Sequence, residues 1–240
     1  MRLDKYLVST GKISRSEAGK AARGGRITVN GSVEKRADRA VDPLTDYVIL
    51  DGEPILYRQY TYILLNKPAG YVSATEDGRD PTVLELLPPE LRRIGLFPCG
   101  RLDKYTLGLM LLTNDGATGH RLLSPRHHVE KEYRYTAESP LSEEDIFQLE
   151  SGVVLDGGYR TKPSRLFPSD DNRIGTIVLT EGKYHQIKRM FEAVNNRIIS
   201  LERIRFDTLT LDGLPERGTW RYLTPEEIRT LCREGSVTDS

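Results

Sequence analysis

The feature that most constrains the fold is a succession of short, apolar, strand-like segments that are separated by turn residues. Tyr62–Leu65, Leu109–Thr113 and Lys131–Ala137 are each too short for a typical helix and rich in strand-forming residues. Further strands are expected near residues 162–167, 174–180, 197–211 and 219–223. Strands outnumber helices, and most are joined by hairpin-length connections. The sequence therefore predicts an α+β protein with a mixed, mostly antiparallel sheet.

The composition of the 240-residue chain is that of a folded protein, with 38% hydrophobic and 29% charged residues. No apolar run approaches the ~20 residues of a membrane span. The segment after Met1 is polar, so a secretory leader is not expected. The two cysteines, Cys99 and Cys232, are far apart in sequence, which excludes a disulfide framework. We therefore expect a protein of the reducing cytoplasm.

Charge is distributed unevenly along the chain, although the formal net charge is zero. Residues 1–40 contain ten basic and four acidic side chains, so this segment carries +6 and the rest carries −6. Such an asymmetry indicates contact with a polyanion at one end of the molecule. An ordinary solvated surface is the alternative, and charge alone does not separate the two. The candidate RNA-binding side chains in this segment are Arg2, Lys5, Arg15, Lys20, Arg23 and Arg26.

Local signals in the N-terminal segment predict two short helices and a hairpin. Ser14 and Glu17 have capping-box spacing ahead of a helix over residues 15–23, and Asn30-Gly31 is a strong hairpin signal. The stretches R-L-D-K-Y-L, S-R-S-E-A and G-R-I-T-V-N-G occur in that order and resemble an S4-type RNA-binding domain. This resemblance implies a small α/β domain that holds structured RNA.

The predicted domain organisation follows from composition and from this resemblance. Residues 1–50 are assigned to the S4-like domain, and residues 51–61, with Gly52 and Pro54, to a linker. A catalytic domain is expected over residues 62–233, and residues 234–240 are expected to form a frayed tail.

Asp103 is the carboxylate with the most suggestive surroundings. It lies in a loop that is bounded by Gly100 and Gly108 and flanked by apolar stretches. A carboxylate in this setting can act as a nucleophile or as a base, although many loop aspartates only cap a turn.

The longer segment around Asp103, G-R-L-D-K-Y-T-L-G-L-M-L-L-T-N-D-G, resembles the catalytic motif of pseudouridine synthases. Three more segments resemble other motifs of that family and follow its order: Lys67–Gly70, Lys131–Tyr133 and Glu181–Phe191. The family pattern is altered at Tyr105 and Leu107, neither of which is the catalytic position. The resemblance implies conversion of uridine to pseudouridine in RNA.

The resemblance also implies a role for individual residues. Asp103 is the expected catalytic residue, acting as nucleophile at C1′ or as base at C2′ of the sugar. Lys188 is expected to hold it ionised, with Arg189 as the alternative. Tyr133 is expected to stack on the target base, and Arg101 to hold a phosphate or neighbouring RNA.

The segment Ser124–Lys131 and the late motif resemble the branch of the family that acts on small-subunit (16S) ribosomal RNA, which includes the enzymes of uridine 516. Arg126, His127 and Arg189 are expected to face that RNA. The alternatives are the sister branch that acts on large-subunit 23S rRNA and a non-catalytic S4-type ribosome-assembly protein. A glycoside hydrolase would need a second acid near Asp103, for which Asp115 is the candidate.

No cofactor is expected, because the isomerisation needs neither a redox change nor a group donor. The four histidines lack metal-ligand spacing, and no glycine-rich phosphate loop is present, so neither a metal nor a nucleotide cofactor is expected. The expected partner is ribosomal RNA or an assembling small subunit, with no membrane contact, and the protein is expected to be a monomer.

Overall fold

The computed structural model describes residues 1–232, and the chain divides into two compact units. The first comprises residues 1–61 and 84–97, and the second comprises residues 62–83 and the chain from residue 98 onward. The predicted frayed tail lies outside the described residues. Within residues 1–232 no helix is long and apolar enough to cross a membrane.

The first unit packs short helices against a small sheet. Its helices are α1 (Leu3–Val8), α2 (Arg15–Arg23) and α3 (Pro89–Arg92). Its strands are β1 (Ile27–Val29), β2 (Ser32–Val33), β3 (Val48–Leu50) and β4 (Glu53–Ile55), in the antiparallel order β2-β1-β3-β4. The predicted helix over residues 15–23 is confirmed with its capping box. Asn30 and Gly31, both with positive φ, form the predicted hairpin turn.

The segment over residues 51–61, which the sequence analysis assigned to a linker, contains a strand in the structure, because residues 53–55 form β4. This strand pairs with β3, placing Ile55 opposite Val48, and the Ile55 carbonyl accepts a hydrogen bond of 2.9 Å from the Tyr6 hydroxyl. Ile55 is also buried with the apolar side of the unit, which includes Leu3 and Leu7. Pairing with β3 and burial therefore make these residues part of the first unit's sheet.

The second unit is built on one large sheet. The strands are β5 (Tyr62–Lys67), β6 (Phe97–Pro98), β7 (Leu107–Thr113), β8 (Lys131–Ala137), β9 (Arg165–Pro168), β10 (Ile174–Leu179), β11 (Ile198–Phe206), β12 (Leu209–Thr210) and β13 (Trp220–Tyr222). The main path runs β13-β5-β7-β11-β8-β10-β9. β7 and β11 pair in parallel, and the other neighbours on this path are antiparallel. The predicted α+β class and the mostly antiparallel sheet are confirmed.

Helices cover this sheet. They are α4 (Gly116–Leu123), α5 (Glu143–Ser151), α6 (Gln186–Ala193) and α7 (Pro225–Cys232), with a 3₁₀ turn at Pro125–His127. A further 3₁₀ turn, Val83–Leu86, begins at the last residue of the 62–83 segment. One core cluster joins Leu64, Leu109 and Leu111 of the sheet to Leu122 of α4 and Leu231 of α7. Elsewhere in the unit, Phe191 of α6 packs against Tyr135 of β8 with ring centroids 5.0 Å apart. The second contact joins α6, which carries the late motif, to the central strand β8.

Gly108 allows β7 and β11 to approach each other next to the Asp103 loop. Its φ is +99°, and a Cβ there would lie 2.2 Å from the backbone oxygen of Arg203. A side chain at position 108 would therefore push the parallel pair of strands apart. The second glycine of the motif, Gly108, therefore has a packing role next to the Asp103 loop.

Candidate active site

A cavity of about 710 Å³ opens in the second unit. Its walls come from the 100–106 loop, from β8 and from the segment that leads into α6. Asp103, Lys188, Tyr133 and Arg101 all line it, so the structure brings together these four predicted site residues.

The loop that carries Asp103 is fastened on both sides of the carboxylate. Leu102 is buried and exchanges two hydrogen bonds with the Ser73 hydroxyl, of 2.8 and 2.9 Å. The Thr106 amide donates to the Asp103 carbonyl at 3.0 Å, which closes a tight turn. The side chain of Asp103 is left 26% exposed and faces the cavity. The backbone is thus fixed while the carboxylate remains reachable.

Lys67, the last residue of β5, binds the backbone of this loop. The side chain is fully buried, and its ammonium donates to the carbonyls of Pro68, Asp103, Lys104 and Thr106 at 2.9–3.2 Å. Burial, partly offset by the Asp103 carboxylate, lowers the pKa of Lys67 to about 8. A buried cation that binds four carbonyls fixes the backbone position from which Asp103 projects.

Two basic side chains from the late motif lie against the Asp103 carboxylate. Lys188 Nζ lies 3.1 Å from Oδ2, and His185 Nε2 lies 3.4 Å from Oδ1. Lys188 belongs to the first turn of α6, and His185 is the residue that precedes this helix. Residues three apart share one face of a helix, so both side chains point to the same carboxylate. Each carboxylate oxygen therefore has its own partner.

A buried acid holds the start of α6 in place. Glu181 accepts hydrogen bonds from the Gln186 amide at 2.6 Å, the Tyr159 hydroxyl at 2.5 Å and the Lys162 backbone at 3.0 Å. Lys183 donates its backbone N–H to the Gln186 side-chain oxygen at 2.8 Å. These bonds fix the helix terminus that carries the two partners of Asp103.

Tyr133 forms part of the cavity wall from the centre of the sheet. It lies on β8 between Ile177 of β10 and Arg203 of β11 and is 8% exposed. Burial, with a further contribution from Arg203, lowers the pKa of the adjacent Lys131 to about 8. Arg203 is itself buried, and its Nε donates to the Leu109 carbonyl at 2.7 Å. An aromatic ring beside two desolvated cations suits a polar, anionic ligand with a planar base.

The charge of the cavity is strongly positive. Two of its lining residues are acidic, Asp103 and Glu181, and seven are lysines or arginines. The cationic residues are Arg101, Lys104, Lys131, Lys162, Lys183, Lys188 and Arg203. Such a surplus of cations favours a phosphate-bearing ligand.

Several predicted RNA-binding residues lie apart from this cavity lining. Arg126 and His127 are exposed in a 3₁₀ turn. Arg189 points away from Asp103 and donates to the Asp156 carbonyl at 2.6 Å. Of the two candidates for the ion pair, it is Lys188 that lies against the carboxylate.

The predicted cations of the N-terminal segment divide into two groups. Arg2 pairs with Asp4 at 2.7 Å, and Arg26 pairs with Asp51 at 2.5 Å. The remaining four are exposed and form no ion pair within residues 1–232: Lys5, Arg15, Lys20 and Arg23.

Asp115 has a structural task. It is 5% exposed, caps α4 by accepting from the Ala117 and Thr118 amides, and accepts a hydrogen bond of 2.6 Å from the Tyr62 hydroxyl. It is absent from the cavity lining, so Asp115 does not supply the second carboxylate that a glycoside hydrolase would need beside Asp103. Among the described residues, no group of three or more His, Cys, Asp or Glu side chains could hold a metal ion.

Sequence reasoning missed four residues of this site. They are Lys67, Glu181 and His185, which hold Asp103 or its partners, and the buried Arg203. His185 was open to detection, because it precedes Lys188 by three positions in the late motif. Lys67 and Glu181 begin two of the motif segments, but their roles depend on contacts with distant segments, and Arg203 lies outside every motif.

Comparison with known proteins agrees with this fold. The sequence model described as RNA pseudouridylate synthase matches residues 61–193, and that of the S4 domain matches residues 1–43. The chain belongs to the RNA pseudouridylate synthase family. It is an RNA pseudouridine synthase with an N-terminal S4 domain, as its motifs predicted.

Individual relatives align over nearly the whole chain. An uncharacterized RNA pseudouridine synthase of Bacillus subtilis is 45% identical over 234 residues, which cover 96% of this chain and 98% of the relative. The ribosomal small subunit pseudouridine synthase A of Escherichia coli is 42% identical over 233 residues, which cover 96% and 100%. A crystal structure of a pseudouridylate synthase superposes with a TM-score of 0.68 at 36% identity and covers 96% and 99%.

Proposed function

We propose that this enzyme isomerises a uridine of small-subunit ribosomal RNA, and that Asp103 is its catalytic residue. The observation that carries the proposal is the Asp103 carboxylate, held by Lys188 and His185 at the wall of a strongly cationic cavity. The E. coli relative, whose name refers to the small ribosomal subunit, supports this choice of RNA. Uridine 516 of 16S rRNA is the first position to test.

The reaction breaks the bond between C1′ of the ribose and N1 of the uracil, and joins C1′ to C5 of the same base. An oxygen of Asp103 either attacks C1′ or removes the proton at C2′. Both routes need the carboxylate at a fixed place beside the sugar. Lys188 and His185 supply this by binding one oxygen each, and Lys67 supplies it by fixing the loop.

The base must leave its stack to reach Asp103, which costs a few kcal/mol. Tyr133 offers an aromatic wall on which the uracil recovers part of this cost by stacking. Arg101 is exposed at the cavity and is suited to bind a phosphate of the same strand. Different residues of the cavity would therefore contact the base, the sugar and the phosphate of the target nucleotide.

The S4 domain supports RNA as the macromolecular partner. We propose that its exposed cations, together with Arg126, His127 and Arg189, bind RNA around the target uridine. The substrate is then free ribosomal RNA or an assembling small subunit, the enzyme works as a monomer, and its place of work is the cytoplasm.

The test is release of tritium from 5-tritiated uridine, which is lost from C5 when the new bond forms. Purified enzyme is given transcripts of 16S and 23S rRNA in separate reactions, and also assembling small subunits. We expect release from the small-subunit substrate that approaches one uridine per RNA. Release from 23S rRNA alone contradicts the choice of subunit, and release from none of them contradicts ribosomal RNA as the substrate.

A further inference from the structure

Tyr184 is an exposed aromatic side chain at the cavity, and it contacts neither Asp103 nor Lys188 in the ion pairs described above. Tyr184 lines the cavity and is 70% exposed. Its ring stacks on that of His185, with centroids 3.8 Å apart and planes 19° apart. Since His185 covers one face, the exposed area of Tyr184 belongs to its edges and to the opposite face. An open aromatic face therefore borders the site.

The His185 ring of the stack lies at the start of α6. His185 has a φ of +51°, the left-handed conformation, at the point where α6 begins. Its Nε2 lies 3.4 Å from Oδ1 of Asp103, so the ring that stacks on Tyr184 also contacts the carboxylate. A platform that is already ordered loses little conformational entropy when a ligand binds to it.

Cations surround the same opening. Lys104 of the Asp103 loop lines the cavity but pairs with Asp80 at 2.6 Å. Lys183, which precedes Tyr184 in sequence, and Arg101 of the Asp103 loop also line the cavity. They suit the phosphates of a strand that enters with one nucleotide turned inward. The bases next to that nucleotide then remain outside, at the opening where Tyr184 presents its face.

We propose that Tyr184 is a stacking platform for a base adjacent to the target uridine. The inference rests on the proposed placement of that uridine against Asp103. Stacking on an aromatic ring needs no hydrogen-bond readout, so the platform favours an unpaired neighbour, and purines over pyrimidines through their larger ring area. Tyr184 is thus a specificity-determining residue distinct from Tyr133, which is assigned to the target base.

The test combines changes in the enzyme with changes in the RNA. Tyr184→Leu removes the aromatic face, and Tyr184→Phe keeps it without the hydroxyl. Each variant is assayed for kcat/KM on the RNA that contains its mapped target uridine, and on RNAs in which the 5′ or the 3′ neighbour is abasic. Tyr105→Leu is the matched control, since Tyr105 is also 70% exposed but does not line the cavity.

For one of the two neighbours, base removal is expected to lower kcat/KM by about 5- to 150-fold in wild type, Tyr184→Phe and Tyr105→Leu. In Tyr184→Leu the same removal should cost less than about twofold, because the stacking partner is already gone. Equal losses in all four proteins, at both neighbours, overturn the proposal.

A second measurement needs no turnover. With 2-aminopurine as the neighbouring base, binding to wild type should quench its fluorescence and binding to Tyr184→Leu should not. Equal quenching by both proteins overturns the proposal. A target uridine that maps outside small-subunit rRNA contradicts the proposed function and leaves this test unaffected, because the RNA is chosen by its mapped uridine.

Discussion

The two units place cations in different surroundings. In the first unit Lys5, Arg15, Lys20 and Arg23 are exposed, whereas Lys67 in the catalytic unit is fully buried. An exposed cation gives long-range, salt-sensitive attraction to phosphates and little geometry. A buried cation is desolvated and bonded to specific atoms, so it fixes positions. An exposed cation is therefore suited to supply affinity, and a buried cation is suited to supply precision.

The ion pairs show the same contrast. Arg26 and Asp51 are 53% and 45% exposed, and water and salt screen such a surface pair, so it adds little to stability. Lys188 and Asp103 are 31% and 26% exposed and line a cavity that an RNA strand would close off from water. If Asp103 is the reacting group, as we propose, the second pair serves to orient it, and kinetics rather than stability measures that effect.

The largest effect is expected at Asp103 itself. Asp103→Asn keeps the shape of the side chain and removes the nucleophile or base, so turnover should fall by at least about 1,000-fold. Tritium release measures turnover, and filter binding measures RNA affinity, which should change by less than about threefold because the docking surface is intact. Activity within tenfold of wild type would remove Asp103 from the proposed chemistry.

A somewhat smaller loss is expected at Lys188. Lys188→Met keeps the aliphatic stem and deletes the charge, leaving Oδ2 of Asp103 without its partner, so kcat should fall by about 100-fold with little change in RNA affinity. Lys188→Arg should be milder. Arg189→Met is the control, because Arg189 binds the Asp156 carbonyl. A critical Arg189 beside a dispensable Lys188 would reverse the assignment.

Lys67 should affect both stability and activity. Lys67→Met leaves four carbonyls without their donor, so we expect a loss of about 2 kcal/mol in the free energy of unfolding and a lower kcat. Urea denaturation and tritium release measure these two effects. Methionine is the replacement of choice, because it fills the buried space of the lysine stem without a charge, so the loss is not caused by a cavity.

The pH dependence of that loss has a definite sign. The folded pKa of Lys67, about 8, lies below the ~10.4 of an unfolded lysine, so between these values the unfolded chain binds more protons. The contribution of Lys67 to stability therefore rises with pH. The gap between wild type and Lys67→Met should widen by about 1–2 kcal/mol from pH 7.5 to 9.5. A gap that narrows would contradict the burial of a charged Lys67.

The smallest effects are expected in the first unit. Replacing Arg15, Lys20 and Arg23 together by Gln should weaken RNA binding several-fold and reduce the slope of log affinity against log salt by about 1 for each phosphate that is no longer neutralised. The same change at the ion-paired Arg2 and Arg26 is the control and should alter the slope less. An unchanged slope in the triple variant would mean that these cations do not bind RNA.

Local signals made parts of the fold predictable. The capping box at Ser14 and the turn at Asn30-Gly31 depend on neighbours in sequence, and both form as predicted. β4 was missed because Glu53-Pro54-Ile55 has no alternation and its strand character comes from pairing with β3. The parallel pairing of β7 with β11 joins residues about 95 positions apart, as in Gly108 and Arg203, and no local pattern encodes it.

The site divides in the same way. The pairing of Lys188 with Asp103 was predictable from motif resemblance, because both residues lie in segments with a recognisable pattern. The carbonyl cage around Lys67 was not, since three of its four acceptors come from residues 103–106 across a different loop. Supporting contacts of this kind are made by backbone atoms, which every residue has and no sequence pattern marks.

The most direct test of the account is a map of pseudouridine across all ribosomal RNA of cells that lack this protein. We expect one small-subunit uridine to be unmodified in these cells. Wild-type protein should restore its modification, and Asp103→Asn produced at the same level should not. An unchanged map, or restoration by Asp103→Asn, would contradict it.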